Sequence, residues 1–318
     1  FFKQTTAYEI RLSLVGSEMC IRDRPRCLIL VEVNMKLTDK ALLVQLNVSQ
    51  WTARKYDKKV TQQVADQYQA MVEAGRYNKS LLPLNDYLGN IHKLTTTIRT
   101  EYYKNTLPWG INGTQMLPSK NYLSFMTEHR AKKAQWLGLV DQFVDAYPQL
   151  KLDAQRLLPN GLYKEEDYPT IDGLRAKFGM EMIVLPVPAD DFRVQIADEE
   201  LSAIQQEVTD RVTNASQEAM REAWQRLYDV VKHASDKLND PNGVFRDSLV
   251  ANINDICGVL PRLNFADDPN LETMRQQVER SLATQNPDAL RVDWDLRDQK
   301  AREAKAIADK MSVFMGEL

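Results

Sequence analysis

Cysteine is scarce in this chain of 318 residues, which contains three. Cys20 and Cys27 lie in the first 34 residues, so Cys257 is the one cysteine downstream of that stretch. A disulfide framework or a cysteine-ligated zinc site needs several cysteines that can meet in space. The sequence therefore excludes both, and we interpret Cys257 as a small buried apolar residue.

Motifs that bind nucleotides or carry out hydrolysis are also missing. No glycine-rich stretch has the spacing of a phosphate loop or a dinucleotide-binding turn, and no serine lies in a nucleophile elbow. His92, His129 and His233 have no second histidine or glutamate at metal-ligand spacing. Asp190 and Asp191 could hold Mg²⁺ or Ca²⁺, but a turn before a helix cap explains them without a metal, and we favour that interpretation. We predict no catalytic residues, no cofactor and no metal, and hence a protein that is not an enzyme.

A net positive charge and long hydrophobic runs are both lacking. No apolar run approaches the roughly 18 residues of a membrane helix, so we expect a soluble cytoplasmic protein. Lys and Arg number 41 against 44 Asp and Glu, a net charge of -3. The charge is nevertheless uneven, at +7 over residues 35–158 and -11 over 159–318. The two halves could attract each other within one fold, or the first could present a basic face to a polyanion.

The first residues do not read as a targeting signal. Residues 1–24, and in particular the run LVGSEMCIRD at 14–23, resemble one reading frame of a sequencing-library adaptor. Residues 25–34 are consistent with read-through of an untranslated leader. We therefore expect the natural chain to begin at Met35.

Apolar periodicity divides the remaining chain into a few strands and many helices. Alternation over 42–48 predicts an opening strand, and short strands over 182–187 and 192–196 are predicted to pair as a hairpin that this strand joins. The segment 104–120, rich in Pro and Gly, is predicted to be a long loop. Helical spacing predicts helices over 57–71, 84–102, 122–147, 198–238, 244–260, 270–284 and 297–314.

The helix predicted over 198–238 is unusually long, about 60 Å at 1.5 Å per residue. Its expected antiparallel mate is the helix over 122–147, with pairing to another chain as the alternative. The predicted fold class is mainly α with a small β-sheet (α+β), containing a long antiparallel helical hairpin or coiled-coil stalk plus C-terminal helices. The expected organisation is a non-native segment 1–34, an α+β body over 35–240 and a C-terminal helical region over 241–318.

Two segments are candidate contact sites. Aromatic and basic residues alternate directly after the opening strand, a mixture that phosphate and single-strand contacts use. Its candidate contact residues are Trp51, Arg54, Lys55, Lys58 and Lys59. The alternative is that Trp51 anchors the core while the lysines are solvated. The apolar loop over 106–114 offers Trp109, either to a partner or to its own domain.

The run LLVQLNVSQWTARK at 42–55, the LPWG loop at 107–110 and the strand-plus-long-helix segment from Phe192 resemble an uncharacterised family of tailed-phage and bacterial proteins. The family carries a domain of unknown function, so the resemblance transfers no catalytic residues. It implies encoding near a MoxR- or CobS-like AAA+ ATPase, and hence an accessory role in a remodelling system.

These observations lead to three functional hypotheses. The first is a non-enzymatic, phage-encoded interaction or adaptor protein in the host cytoplasm, with an AAA+ ATPase as its protein partner. The second is nucleic-acid binding through the basic N-terminal half. The third is a structural component of the virion. Self-association is compatible with each of them.

Overall fold

The structure is a computed structural model, and it describes residues 37–110, 113–159, 161–189, 197–240 and 246–317. The strands of this part of the chain are β1 (Ala41–Ser49), β2 (Arg54–Tyr56), β3 (Asn78–Ser80), β4 (Leu107–Pro108), β5 (Thr114–Pro118) and β6 (Gly179–Pro186). The helices are α1 (Leu37–Lys40), α2 (Lys58–Tyr68), α3 (Asp86–Asn105), α4 (Ser119–Leu157), α5 (Ile171–Arg175), α6 (Asp198–Asn239), α7 (Ser248–Leu263), α8 (Pro269–Val278), α9 (Pro287–Val292) and α10 (Trp294–Glu317). The predicted class, mainly α with a small sheet, is confirmed.

Strand β1 lies at the centre of an antiparallel sheet with the order β4-β5-β1-β6. Leu43 packs on one side with residues of α6 to α10, whereas Val44 packs on the other side with Tyr102 of α3 and Phe125 of α4. Successive strand residues point to opposite faces, so helices cover both sides of the sheet. The alternation over 42–48 therefore identified the strand but not that both of its faces are buried.

The predicted loop over 104–120 is wrong, because the segment contains a β-hairpin. Strand β4 pairs with β5, and β5 pairs with β1. Gly110 and Gly113 have positive φ angles of 72° and 80° between the two strands, a backbone conformation that favours glycine. The glycines thus mark the turn of a hairpin.

Helices α3 and α4 form one antiparallel pair. Trp136 of α4 is fully buried, and its Nε1 donates a hydrogen bond to Thr95 Oγ1 of α3 at 2.8 Å. Pro148, expected to bend or end this helix, lies inside α4, which continues to Leu157.

The long helix α6 pairs with α10, so the mate predicted over 122–147 is wrong. Trp224 of α6 stacks on Phe314 of α10 with ring centroids 5.5 Å apart, and Arg297 at the other end of α10 reaches Leu238. The two helices are therefore antiparallel. Small residues line this contact and permit close approach; they are Ala219, Ala223, Ala234, Ala301, Ala304 and Ala308. The large apolar residues of α4 are already covered by α3 and the segment around Phe178.

Helices α7 to α10 share one hydrophobic cluster with α6 and with β1, β4 and β5. The described residues from Leu37 onwards group as one compact unit. The boundary that we predicted at residue 240, between the α+β body and the C-terminal helical region, therefore falls within a continuous hydrophobic core. The hairpin strand expected over 192–196 lies outside the described residues, and so does the Asp190-Asp191 pair.

The first part of α6 makes little contact with the rest of the described chain. No residue from Asp198 to Asn214 is buried, and this stretch spans about 25 Å at 1.5 Å per residue. We call it the acidic arm, because five acidic residues and one arginine lie in it. No described helix is long and apolar enough to cross a membrane.

Candidate functional site

The two-stranded ribbon of β2 and β3 carries three basic residues, Arg54, Lys55 and Lys79, and we call the ribbon together with α2 the small lobe. Strand β2 pairs with β3 so that Lys55 lies opposite Lys79 and Arg54 opposite Ser80. Side chains alternate along a strand, so the two lysines share one face, and Arg54 and Tyr56 occupy the other. Like charges directly opposite each other destabilise a ribbon unless they are neutralised.

Two aspartates provide that neutralisation. Lys79 is only 3% exposed, and its Nζ lies 2.7 Å from Asp167 Oδ2 and 3.3 Å from Asp57 Oδ2. The same Nζ donates a hydrogen bond to the Leu162 carbonyl at 2.8 Å. Lys55 Nζ lies 2.5 Å from Asp167 Oδ1. The Lys79 ammonium is thereby enclosed by two carboxylates and one carbonyl of the protein.

The pKa values of this cluster favour its charged forms. Burial alone would raise the pKa of Asp167, but hydrogen bonds from Lys55 and Lys79 outweigh it and hold the pKa below its usual value. Burial opposes the charge on Lys79 as well, yet its bonds to Asp167 and Asp57 raise its pKa. The cluster is therefore fully ionised at neutral pH.

Asp57 has a second role, as the N-cap of α2. Its Oδ1 accepts a hydrogen bond from Val60 N at 3.2 Å, and this bond is the main cause of its lowered pKa. Thr61 of the next turn is buried, because its Oγ1 donates to the Asp57 carbonyl and accepts from Tyr77 N. These bonds orient the helix against the ribbon.

Helical spacing over 57–71 predicts that Val60, Val64, Tyr68 and Met71 face the core, and this prediction is wrong for the last three. Thr61 and Ala65 are the buried residues of α2, whereas Val64, Tyr68 and Met71 are exposed. Spacing alone assumes that apolar residues face inward. Here the hydrogen bonds of Thr61 allow a polar residue to face inward instead.

The ribbon and α2 border a pocket of about 560 Å³, which we call the lysine pocket. Its lining residues are Lys55, Tyr56, Asp57, Lys58, Lys59, Gln62, Gln63, Lys79, Lys164 and Asp167. The pocket holds five lysines and two aspartates, and Lys164 also pairs with Glu166 at 4.0 Å, which leaves a formal excess of two positive charges. Lys58 and Lys59 are exposed and form no ion pair with another described residue. They are the cations that an external anion would meet.

The neighbouring depression does not share this imbalance. It is about 680 Å³ and includes Lys151, Lys164, Glu165 and Glu166. Lys151 pairs with Glu165 there, and Glu165 also accepts a hydrogen bond from Tyr163 at 2.6 Å. Its charges are balanced, so we do not assign it a ligand.

The structure brings Arg54, Lys55, Lys58 and Lys59 together at this lobe, whereas Trp51 and Trp109 pack against core residues. Trp51 is half-buried against Phe143 and Tyr147, with ring centroids 6.3 and 5.9 Å away. Trp109 is 5% exposed and belongs to the cluster built by α6 to α10. Both indoles therefore pack on the core, Trp109 almost completely and Trp51 in part.

Sequence reasoning missed several residues of the pocket. Asp167 contacts Lys55 across 112 positions of the chain, and no local pattern encodes such a contact. Lys79 and Lys164 were missed as well, because they lie far along the chain from the segment 51–59. Asp57 had a usable signal, because an aspartate directly before a helical pattern is a typical N-cap.

Other candidate reactive groups have structural roles. Cys257 is buried, and desolvation raises its pKa to about 11, so the sulfur is a thiol at neutral pH and packs as an apolar group. Within the described ranges, no three His, Cys, Asp or Glu side chains are grouped as a metal site would require.

The fold and site define a mainly helical protein with a central four-stranded sheet and a lysine pocket on a small lobe. No protein-family model, curated protein or solved structure matches the chain. The function is therefore argued from the site itself.

Proposed function

We propose that this protein binds nucleic acid, without catalysis, by holding backbone phosphates at the lysine pocket. The observation that carries the proposal is that Lys58 and Lys59 face the pocket without a carboxylate partner among the described residues. The two carboxylates of the pocket are engaged by Lys55 and Lys79. Phosphate oxygens are strong acceptors for lysine ammonium groups, so the exposed pair supplies what a phosphodiester needs.

The buried ion pairs have a positioning role in this proposal. Lys79 joins the ribbon to Asp57 at the start of α2 and to Asp167 of a distant segment. These contacts hold Lys58 and Lys59, in the first turn of α2, at the mouth of the pocket. Because Lys79 is buried and paired with two carboxylates, it acts by positioning the lobe rather than by contacting the ligand.

Binding of this kind is local and salt-sensitive. The chain as a whole carries a charge of -3, so attraction arises within a Debye length of the pocket, about 8 Å at physiological ionic strength. With Arg54, Lys58 and Lys59 as contacts, the affinity for a single strand is expected to fall with a logarithmic salt slope of about -2.

Charge reversal at the mouth of the pocket tests the proposal. The double variant Lys58→Glu/Lys59→Glu is expected to weaken binding of a fluorescent oligonucleotide by roughly tenfold or more, because two phosphate contacts become repulsive. Fluorescence anisotropy at several salt concentrations measures this loss. Lys55 is left unchanged, because a carboxylate there would face Asp167.

The matched control is Lys305→Glu/Lys310→Glu on α10, two exposed lysines with the same change in net charge. This variant is expected to bind as the wild type does. Equal losses in the two variants would mean that overall charge, not the pocket, determines retention. If the pocket variant binds the oligonucleotide as tightly as the wild type does, the proposal is refuted.

We propose a second role, as an adaptor for an AAA+ ATPase in the host cytoplasm, on a separate observation. The acidic arm carries Leu201, Ile204 and Val208 at helical spacing, and none of the three is buried. An apolar stripe between acidic flanks is the kind of surface on which a basic amphipathic helix packs. The resemblance to the phage family implies the ATPase partner.

This second role predicts that Ile204→Gln/Val208→Gln abolishes co-purification of an AAA+ ATPase from expressing cells while leaving the thermal midpoint unchanged. The arm lies outside the core, so the substitutions remove apolar contact area without a folding cost. Ser202→Gln/Thr209→Gln, on exposed positions of the same arm, is the control and is expected to retain the ATPase. Loss in both variants, or in neither, would contradict a role for the stripe.

A further inference from the structure

The ribbon presents an aromatic surface beside the lysine pocket. Because Lys55 and Lys79 take one face of the ribbon, Arg54 and Tyr56 face the other side. Tyr56 is 43% exposed and also borders the pocket, and Arg54 is exposed. The ring of Tyr56 and the unpaired cations Lys58 and Lys59 thus border the same pocket.

The ring of Tyr56 is held in place without being covered by the core. Arg76 lies with its Cζ 6.0 Å from the ring centroid, at the distance of a cation–π contact. Tyr56 makes no ring–ring contact with a described residue, in contrast to Trp51, which packs on Phe143 and Tyr147. One face of the ring is thus open to solvent beside the pocket, and an aromatic face is the surface on which a nucleic-acid base stacks.

We propose that the ligand is single-stranded nucleic acid, with one base stacked on Tyr56 and the adjoining phosphates at Lys58 and Lys59. This inference rests on the proposed function and specifies its substrate class. Two positions in the chain separate Tyr56 from Lys58, so ring and ammonium groups can meet neighbouring parts of one nucleotide strand. A duplex keeps its bases paired and stacked, and would have to open before a base reached the ring.

Stacking explains why a locally cationic site on an acidic protein could retain a strand. Each base–aromatic contact adds affinity that salt does not screen, and every base has a face that can stack. The binding is therefore expected to tolerate sequence changes but not the loss of bases. Linear polyphosphate has the charges without the bases, so it separates stacking from simple attraction.

The test compares Tyr56→Ala, Tyr56→Phe and Tyr87→Ala in the full chain, with an oligothymidylate of about 20 nucleotides as the probe. Tyr87 is the control because it is 40% exposed on α3, close to the exposure of Tyr56. We expect Tyr56→Ala to lower the affinity roughly tenfold. Tyr56→Phe, which keeps the aromatic face, and Tyr87→Ala are expected to bind as the wild type does.

The same titrations with a duplex of equal length and with polyphosphate as competitor decide between the outcomes. Stronger binding of the single strand, together with loss in Tyr56→Ala alone, supports stacking. If Tyr56→Ala binds normally and polyphosphate competes as well as the strand, stacking is refuted while phosphate binding at the lysine pocket stands. If the wild type binds neither strand nor duplex, the proposed function fails as well. A normal circular dichroism spectrum and thermal midpoint of Tyr56→Ala verify that its loss of binding does not come from unfolding.

Discussion

Replacing Lys79 by Met is expected to lower the free energy of unfolding by about 3–5 kcal/mol, the cost of removing one partner from a buried ion pair. Asp167 is almost fully buried, with 1% of its side chain exposed, and Lys55 would remain as its single cation. The Leu162 carbonyl would lose its donor too. Urea unfolding followed by far-ultraviolet circular dichroism measures the change.

Two further variants separate the ion pairs from general effects of lysine removal. Lys59→Met removes an exposed lysine and is expected to change stability by less than about 0.5 kcal/mol. Lys79→Met/Asp167→Leu removes both buried charges, so it is expected to recover part of the loss. A double variant less stable than Lys79→Met would show that the charge left on Asp167 is not the cause.

The same cluster makes stability depend on pH in a definite direction. Asp57 and Asp167 have lowered pKa values in the folded state, so their contribution is present above the unfolded-state value of about 3.9 and is lost as the pH falls through the folded-state values. Lys79 has a raised pKa, so its contribution is lost only at strongly alkaline pH. The stability difference between wild type and Lys79→Met should therefore shrink below about pH 4. A difference that stays constant down to pH 2 would contradict this assignment.

The second large effect is expected at Arg297, the side chain that joins α10 to the end of α6. It is buried and donates hydrogen bonds to the carbonyls of Leu238, Lys237 and Asp240 at 3.0, 3.1 and 2.6 Å. The last carbonyls of a helix lack intrahelical donors, and a cation there also interacts favourably with the helix dipole. One guanidinium satisfies three of these acceptors.

Arg297→Met is expected to cost about 3 kcal/mol, because it leaves buried carbonyls without donors. Arg297→Lys is expected to recover only part of this, since one ammonium cannot reproduce the planar geometry of the guanidinium. Arg302→Met, at an exposed position on the same helix, should have an effect below about 0.5 kcal/mol. Chemical denaturation of the three variants provides the values, and full rescue by Lys would show that charge alone is needed.

Several elements were predictable because their information is local. Alternating residues over 42–48 identified β1, and a long stretch without Pro or Gly identified α6. Four basic residues, Arg54, Lys55, Lys58 and Lys59, were found because they lie within six consecutive positions. The hairpin of β4 and β5 was missed, since glycine and proline mark a turn without showing whether strands flank it.

Apolar spacing gave each helix a face but could not choose its partner. Helices α4 and α6 both have long apolar stripes, yet α4 packs on α3 and α6 packs on α10. The choice depends on whether large or small side chains meet, as Trp136 with Thr95 and Ala223 with the alanines of α10 illustrate. Such complementarity exists only between surfaces already brought together.

By itself, the sequence determined the fold class, the positions of most helices, the opening strand and the cationic segment after it. The tertiary structure alone decided which tryptophans are buried, which helices pair, and that Lys55 and Lys79 are neutralised by Asp57 and Asp167. Periodicity and capping act over a few residues, whereas burial and ion pairing depend on residues far apart in the chain. For that reason Lys58 and Lys59 could be recognised as cations without a carboxylate partner among the described residues only once the partners of Lys55 and Lys79 were known.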